Sequence, residues 1–149
     1  MRLVVQRVTR AVVREGDQQL GDVGLGAVVL TGIGTEDDES IVDRMADKLI
    51  GLRYFADAEG RTNLAIAEVA GSYLVVSQFT LYADLSRGRR PGFTRAAQPA
   101  QAVPLIDRFV ARLRDAGLAV EIGRFGAEMA VELVNDGPFT LVLDSERDL

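Results

Sequence analysis

Residues 77 to 81 place polar side chains directly after an apolar run. The segment Ser77-Gln78-Phe79-Thr80-Leu81 comes directly after Tyr73-Leu74-Val75-Val76, which is typical of a buried strand. Hydroxyl and amide groups at such a place cost about 1–3 kcal/mol each if they are buried without a partner. Two interpretations stay open. Ser77 and Thr80 bond to nearby backbone, or they line a site where hydroxyl and backbone N–H groups act on a substrate.

A second segment, Asn135-Asp136-Gly137-Pro138-Phe139-Thr140, combines residues that favour turns. The residues before it, Met129–Val134, alternate between apolar and polar, and Phe139–Leu143 is again typical of a strand. We therefore predict a tight turn at 135–138 that joins two strands. The Gly-Pro amide is tertiary, so a cis bond is accessible to it, but nothing in the local sequence selects cis.

Two residue types that often perform chemistry are missing. The chain has no histidine and no cysteine, which excludes Ser-His-Asp and Cys-His nucleophiles and nearly all zinc sites. Lys48 is the single lysine, and it falls on a predicted helix surface. Oxygen ligands for Mg²⁺ or Ca²⁺ remain available, but we predict neither a metal nor a cofactor. Carboxylates, hydroxyls, arginines and the backbone are left to act on a substrate.

Four arginines lie close together after the first polar segment, and the nine residues they span contain no acid. They are Arg87, Arg89, Arg90 and Arg95. One interpretation is a solvated loop. The other is a phosphate contact, because the arginine fork pairs with two oxygens at once. The net charge of −5 argues against a protein wrapped in nucleic acid but permits such a local patch.

The sequence pattern predicts helices and strands that position these residues within one α+β domain over residues 1–149. A helix is expected over 36–52, with Glu36, Asp37, Asp38 and Glu39 at its positive end. A second is expected over 99–116, ended by Gly117. About seven strands complete a mixed or mostly antiparallel sheet. Residues 145–149 are expected to form a frayed tail.

Location is predicted from apolar segments. No apolar run approaches the roughly 20 residues that span a bilayer, and Met1–Val8 carries no cleavable signal pattern. We therefore expect a cytoplasmic protein without a membrane partner.

The two polar segments resemble the signature motifs of the D-aminoacyl-tRNA deacylase (D-tyrosyl-tRNA(Tyr) deacylase) family. The start Met1–Val8, the loop Arg90–Phe93 and the segment Gly123–Met129 are also similar to that family, so the resemblance runs in order from residue 1 to about 144. Gly92 and Phe139 stand where the family usually has Ser and Val. The resemblance implies mixed and antiparallel sheets curled into a barrel-like layer with two helices.

The function implied by this resemblance is hydrolysis of the ester in D-aminoacyl-tRNA by a homodimer that spares L-aminoacyl-tRNA. Glycine is not chiral, so glycyl-tRNA, including glycine mischarged on tRNA(Ala), is also an expected substrate. In the family the Gly-Pro pair, here Gly137–Pro138, is cis and reaches into the partner's active site. Its carbonyls hold the substrate amino group, and an L side chain would collide with it. A non-catalytic RNA-binding module of the same fold and a hydrolase of another small ester are the alternatives.

Site residues follow from the resemblance. The implied catalytic residues are Ser77, Gln78, Phe79 and Thr80; the implied substrate-binding residues are Gly137, Pro138, Asn135, Thr140 and Met129; and the tRNA-binding residues are Arg87, Arg89 and Arg90. Thr80 could form an acyl-enzyme, but its hydroxyl needs an adjacent base. Alternatively, water attacks with help from the 2′-hydroxyl of the terminal adenosine, and backbone N–H groups stabilise the oxyanion. We favour the second mechanism, because the chain lacks histidine.

Overall fold

The computed structural model describes residues 1–86 and 88–149. Within them the strands are β1 Arg2–Glu15, β2 Gln18–Val23, β3 Gly26–Gly32, β4 Arg53–Ala56, β5 Thr62–Ala65, β6 Ser72–Ser77, β7 Ala119–Ile122 and β8 Ala130–Asp144. The helices are α1 Glu39–Gly51, α2 Pro99–Asp115 and α3 Ser145–Asp148, and 3-10 turns cover Ile66–Val69 and Phe79–Tyr82.

The long strand β1 organises the main sheet. It pairs antiparallel with β8 along almost its whole length, with β3 through its first half and with β2 through its second half. Strand β6 then pairs parallel with β3, and β7 pairs parallel with β6. The sheet is therefore mixed, as predicted, and β4 and β5 form a separate antiparallel pair.

The main sheet curls because β2 lies over β6 and β7. A Cβ atom on Gly21 of β2 would lie 3.3 Å from the Leu74 side chain and 3.1 Å from that of Glu121. A small apolar cluster fills the inside of the curl; it comprises Val8, Ala11, Val13, Val23, Val28, Leu74 and Val76. The predicted barrel-like α+β fold is confirmed.

A larger core separates the sheet from α1 and α2. Met45 and Leu49 of α1 and Phe109 and Leu113 of α2 are completely buried in it. Asp43 of α1 also accepts two hydrogen bonds from Arg108 of α2, at 2.8 and 2.7 Å. The two long helices therefore cover the same face of the sheet.

Two predictions about helices are wrong. Helix α1 begins at Glu39 rather than residue 36, because the Asp38 side chain caps it by accepting from the Ile41 N–H at 2.9 Å. The expected frayed tail is instead the short helix α3, a third helix. Asp144 caps it, and the Ser145 N–H donates to the Met1 carbonyl at 2.9 Å.

No helix in the described part of the chain is both long enough and apolar enough to cross a membrane.

Candidate active site

The first motif forms the turn that follows β6. The Gln78 N–H donates to the Thr31 carbonyl of the neighbouring strand at 2.8 Å, which fixes the start of the turn. The 3-10 turn then closes through Leu81 N–H to the Gln78 carbonyl at 3.2 Å and Ala83 N–H to the Thr80 carbonyl at 3.0 Å. Phe79 and Thr80 occupy the first two positions, whose N–H groups have no acceptor within such a turn.

A cavity of about 550 Å³ opens beside this turn. Its lining residues come from four parts of the chain: Val76, Ser77, Gln78, Phe79, Phe93, Ala96, Ala97, Gln98, Pro99, Phe125, Gly126, Ala127, Met129 and Val131. Among these described residues none has an ionisable side chain. The cavity therefore offers amide, hydroxyl and backbone groups in a largely apolar wall, a combination typical of small-ligand sites.

Thr80 is placed differently from the rest of its motif. Ser77, Gln78 and Phe79 line the cavity, whereas Thr80 is not among the described residues that do. Its side chain is exposed, and its Oγ1 atom accepts a hydrogen bond from Gln78 Nε2. The hydroxyl is thus engaged by a neighbouring amide, and that amide cannot act as a base.

Aromatic rings and a thioether form the apolar wall. The rings of Phe79 and Phe93 meet edge to face with centroids 5.0 Å apart. Phe79 is 56% exposed, so much of its side chain is accessible to a ligand. Met129 is held by the Arg124 N–H, which donates to its sulfur at 3.3 Å. A Cβ on Gly123 would lie 2.7 Å from that sulfur, so the glycine makes room for it.

The second motif is not the predicted turn between two strands; that prediction is wrong. Residues 130–144 form the single strand β8, and both halves pair with β1. Gln6 pairs with Thr140 and Val8 with Asn135, so Asp136–Phe139 bulges out of the ladder. Turn-forming residues suit either structure, and the long pairing with β1 decides between them.

The bulge has an unusual backbone. The Gly137–Pro138 peptide bond is cis, and Gly137 has φ +121°, a conformation that L side chains rarely adopt. Asn135 braces the bulge by accepting from the Phe139 N–H at 3.2 Å and donating to the Thr140 hydroxyl at 3.3 Å. Gly137, Pro138 and Thr140 are exposed. The chain thus presents the Gly-Pro pair to its surroundings on a supported base.

Arg7 supports the bulge from below, a role that the sequence interpretation missed. Its guanidinium donates to the Tyr54 carbonyl at 2.6 Å and the Asp136 carbonyl at 3.2 Å, and it lies 4.7 Å from the centre of the Phe139 ring. A Cβ on Gly137 would lie 2.9 Å from Arg7 Nη2. An arginine among the valines of β1 was the available signal, since a charge inside a strand needs a partner.

The Gly-Pro bulge is separate from the described lining of the cavity. Asn135, Gly137, Pro138 and Thr140 are absent from the described lining of the cavity, whereas Met129 is part of it. The described lining of the cavity therefore includes part of the first motif but not the Gly-Pro bulge.

The arginine loop begins just after the 3-10 turn. Asp84 and Gly92 close its base through two backbone hydrogen bonds of 2.7 and 3.0 Å. Arg89 and Arg90 are exposed between them, and the predicted Arg87 lies outside the described residues. Arg95 separates from this group, because its guanidinium pairs with Glu146.

The sequence matches a known protein family over nearly its whole length. A family model described as D-Tyr-tRNA(Tyr) deacylase matches residues 4–144. The chain is 58% identical to a D-aminoacyl-tRNA deacylase of Symbiobacterium thermophilum, over 99% of this chain and 97% of that protein. It is 54% identical to one of Roseiflexus sp., over 97% and 94% of the two chains.

Solved structures share the fold. The c-Myc DNA Unwinding Element Binding Protein has a TM-score of 0.90 and 38% identity, over 97% of this chain and 98% of that one. A probable eukaryotic D-amino acid tRNA deacylase has a TM-score of 0.82 over 95% and 97% of the two chains; at 18% identity it shows the fold alone.

A family match over nearly the whole chain places this protein among enzymes, in the class of deacylases that act on aminoacyl-tRNA. Within that class, the chain belongs to the D-Tyr-tRNA(Tyr) deacylase family.

Proposed function

We propose that this protein hydrolyses the ester of D-aminoacyl-tRNA to a free D-amino acid and tRNA, and that it rejects L-aminoacyl-tRNA. The observation that carries the proposal is a cavity without any ionisable side chain in its described lining, beside a 3-10 turn whose first N–H groups have no acceptor within the turn. An aminoacyl ester is already a reactive bond, so positioning and oxyanion stabilisation suffice to accelerate its hydrolysis. Because its substrate is made during translation, we expect the protein to act in the cytoplasm.

The terminal adenosine of tRNA fits the apolar part of the cavity. The exposed Phe79 ring, with Phe93 and Met129 nearby, suits a flat base, because bases stack on aromatic faces. The ester carbonyl then lies beside the Phe79 turn, where the Phe79 N–H stabilises the developing oxyanion. Water adds to the carbonyl and the 3′-oxygen leaves with a proton, while the adenosine 2′-hydroxyl assists in place of a protein base.

Chiral selection, in this proposal, comes from a second subunit. The exposed Gly137–Pro138 pair of one chain enters the cavity of its partner and holds the substrate amino group through its carbonyls. An L side chain would collide with the same backbone, whereas a D side chain points away. Glycyl-tRNA, including glycine mischarged on tRNA(Ala), lacks the colliding atoms and is accepted.

One assay tests the activity directly. Matched D-tyrosyl-tRNA and L-tyrosyl-tRNA, with glycyl-tRNA as a third substrate, are incubated with the purified protein, and the released amino acid is measured against the uncatalysed rate. We expect release from the D and glycyl esters only. Release from both enantiomers would contradict the chiral filter and indicate a less selective esterase.

A nucleic-acid-binding module without catalysis is the second candidate. It is favoured by one observation, the 38% identity to the c-Myc DNA Unwinding Element Binding Protein, whose name describes binding to a DNA element. The same assay separates the two functions, because a pure binding module retains aminoacyl-tRNA on a filter without releasing the amino acid.

Replacing Thr80 by valine should leave most of the activity. Its hydroxyl is exposed, bonds to Gln78 and lies outside the described cavity lining, so a nucleophilic role has no geometric support. We expect kcat for D-tyrosyl-tRNA to fall by less than about tenfold, whereas loss of an essential nucleophile costs about 10⁴-fold or more. The measurement is single-turnover hydrolysis.

Thr80→Ser is the matched control for this variant, because it keeps the hydroxyl and loses only a methyl group. If Thr80→Val were folded but inactive while Thr80→Ser remained active, the acyl-enzyme mechanism would replace ours.

Replacing Arg89 and Arg90 together by alanine should weaken tRNA binding. Both side chains are exposed in a loop that begins next to the candidate site, where the acceptor end would lie. Each lost phosphate contact should reduce the slope of log K against log salt by about 0.7–0.9. The affinity of a non-hydrolysable aminoacyl-tRNA analogue is measured at several salt concentrations.

Arg44→Ala with Arg61→Ala provides the matched control, because it removes the same charge from α1 and from the β4–β5 turn. Equal salt slopes for the two double variants would show that the loop acts only through net charge.

A further inference from the structure

Asp37 is a buried carboxylate that the proposed mechanism does not use. Its side chain is 5% exposed. Oδ1 accepts from the α-amino group of Met1, and Oδ2 accepts from the Gly34 N–H at 2.6 Å and from the Tyr82 hydroxyl at 3.2 Å. The sequence interpretation placed this residue at the start of a helix, yet it lies at a junction of four chain segments. A buried charge with so many donors holds its surroundings in one arrangement.

Tyr82 is fitted closely against this junction. A Cβ on Gly34 would lie 2.7 Å from the Tyr82 hydroxyl oxygen, so the ring packs directly on the glycine backbone. The Arg2 guanidinium lies 4.6 Å from the centre of the Tyr82 ring. Burial, followed by the charge of Asp37, raises the pKa of the Tyr82 hydroxyl above its ordinary value. The hydroxyl therefore stays protonated and donates to the carboxylate.

The tyrosine is also the last residue of the 3-10 turn Phe79–Tyr82. Arg2 Nη1 donates to the carbonyl of its neighbour Leu81 at 3.0 Å, so the end of the turn is tied through side chain and backbone. The beginning of the turn carries the Phe79 N–H. A four-residue turn has little stiffness of its own, and its orientation follows from how its ends are held.

Asp37 is also connected to the opposite wall of the cavity, through backbone pairing next to Gly34. The Gly34 and Ala96 residues form an isolated bridge, and the Ala97 N–H donates to the Ile33 carbonyl at 2.9 Å. Ala96 and Ala97 line the cavity. One carboxylate thus connects the turn that carries the N–H donors with the wall that faces it.

We propose that Asp37 and Tyr82 are positioning residues that orient the Phe79 turn for the transition state, without touching the substrate. The inference rests on the proposed function, because the turn matters only if its N–H groups act on the ester. Loss of the Tyr82 hydroxyl should let the turn shift slightly, and a small misplacement of a preorganised donor is costly to kcat. Ground-state binding in the apolar cavity should change little.

Tyr82→Phe is the main test, since it removes one oxygen atom and keeps the ring on Gly34. Tyr73→Phe is its matched control: Tyr73 is also buried, and its hydroxyl donates to the Leu49 carbonyl of α1 at 3.3 Å. Asp37→Asn is a second variant with a stronger expected effect. Single-turnover rates and KM for D-tyrosyl-tRNA are measured below the unfolding temperature of every variant.

We expect Tyr82→Phe to lower kcat by about tenfold and to change KM by less than about twofold, whereas Tyr73→Phe retains the wild-type kcat. Unchanged kcat in Tyr82→Phe, or an equal loss in both tyrosine variants, would overturn the proposal.

Hydrogen exchange provides a readout that does not need activity. The amides of Leu81 and Ala83 close the 3-10 turn, and they should exchange about tenfold faster in Tyr82→Phe but not in Tyr73→Phe. If the wild-type protein released no amino acid, the proposed function would fail, and this exchange would still decide whether the hydroxyl holds the turn. Unchanged exchange at both amides would count against it.

Discussion

Replacing Phe79 by proline is expected to lower kcat for D-tyrosyl-tRNA by about 10²–10³-fold, the typical cost of losing one oxyanion donor. Proline removes the backbone N–H at the first position of the 3-10 turn, where the fold does not need it. The preceding residue, Gln78, has φ −146° and ψ 81°, outside the helical region that a following proline disfavours. The turn should therefore survive while the proposed donor is lost.

Phe79→Ala separates the ring from the N–H. This variant keeps the donor but loses the edge-to-face contact with Phe93 and the exposed apolar surface of the cavity. We expect it mainly to raise KM, because stacking stabilises the ground state and the transition state alike. Single-turnover kinetics on both variants, with thermal unfolding as a check on the fold, make the comparison. A Phe79→Pro enzyme as fast as Phe79→Ala would show that the oxyanion is stabilised elsewhere.

Because the described cavity lining has no ionisable side chain, the Phe79 N–H should account for a large part of the rate. In a site with a general base, the loss of one N–H donor removes only one of several contributions to catalysis. Here the described cavity lining holds amides, one serine hydroxyl and apolar groups. In the proposed mechanism, preorganised backbone dipoles are the main source of rate that the protein supplies, since they require no reorganisation during the reaction.

Local patterns predicted the regular elements well where packing agreed with them. Helix α2 begins at the predicted residue and ends within one residue of its predicted end. Helix α1 starts later than predicted because Asp38 caps it, and Asp37 instead bonds to Met1 and Tyr82, partners that are remote in sequence. Periodicity is local, so it cannot register such contacts.

Only part of the candidate site was predictable from the sequence, because segments that are remote in sequence complete it. Ser77, Gln78, Phe79 and Met129 line the cavity, but Phe93 and Phe125 complete its wall from other segments, and Thr80 is excluded from its described lining. The turn signature at 135–138 was read as a connection between strands, whereas the pairing of β1 with both halves of β8 makes it a bulge. A bulge and a hairpin turn use the same residue types.

The second large effect concerns the bulge. Gly137→Ala places a Cβ at φ +121°, 2.9 Å from Arg7 Nη2, and should displace the presented carbonyls. We expect D-tyrosyl-tRNA hydrolysis to fall by about 100-fold or more, because the amino group is no longer held. Gly60→Ala is the matched control: Gly60 also has a positive φ, +77°, in the exposed β4–β5 turn, and nothing lies near its Cβ position, so this variant should retain activity.

Mixing two inactive variants tests whether the bulge acts in the partner's site. A heterodimer of Phe79→Pro and Gly137→Ala chains contains one doubly altered site and one site in which Phe79 and Gly137 are both intact, each from a different chain. If dimers exchange randomly, about a quarter of the wild-type rate should return, because half of the dimers carry one intact site each. A site built within one chain would predict no recovery, since every chain carries a defect. Recovery should also keep the preference for D over L esters, because the intact site contains the unaltered Gly137–Pro138 pair.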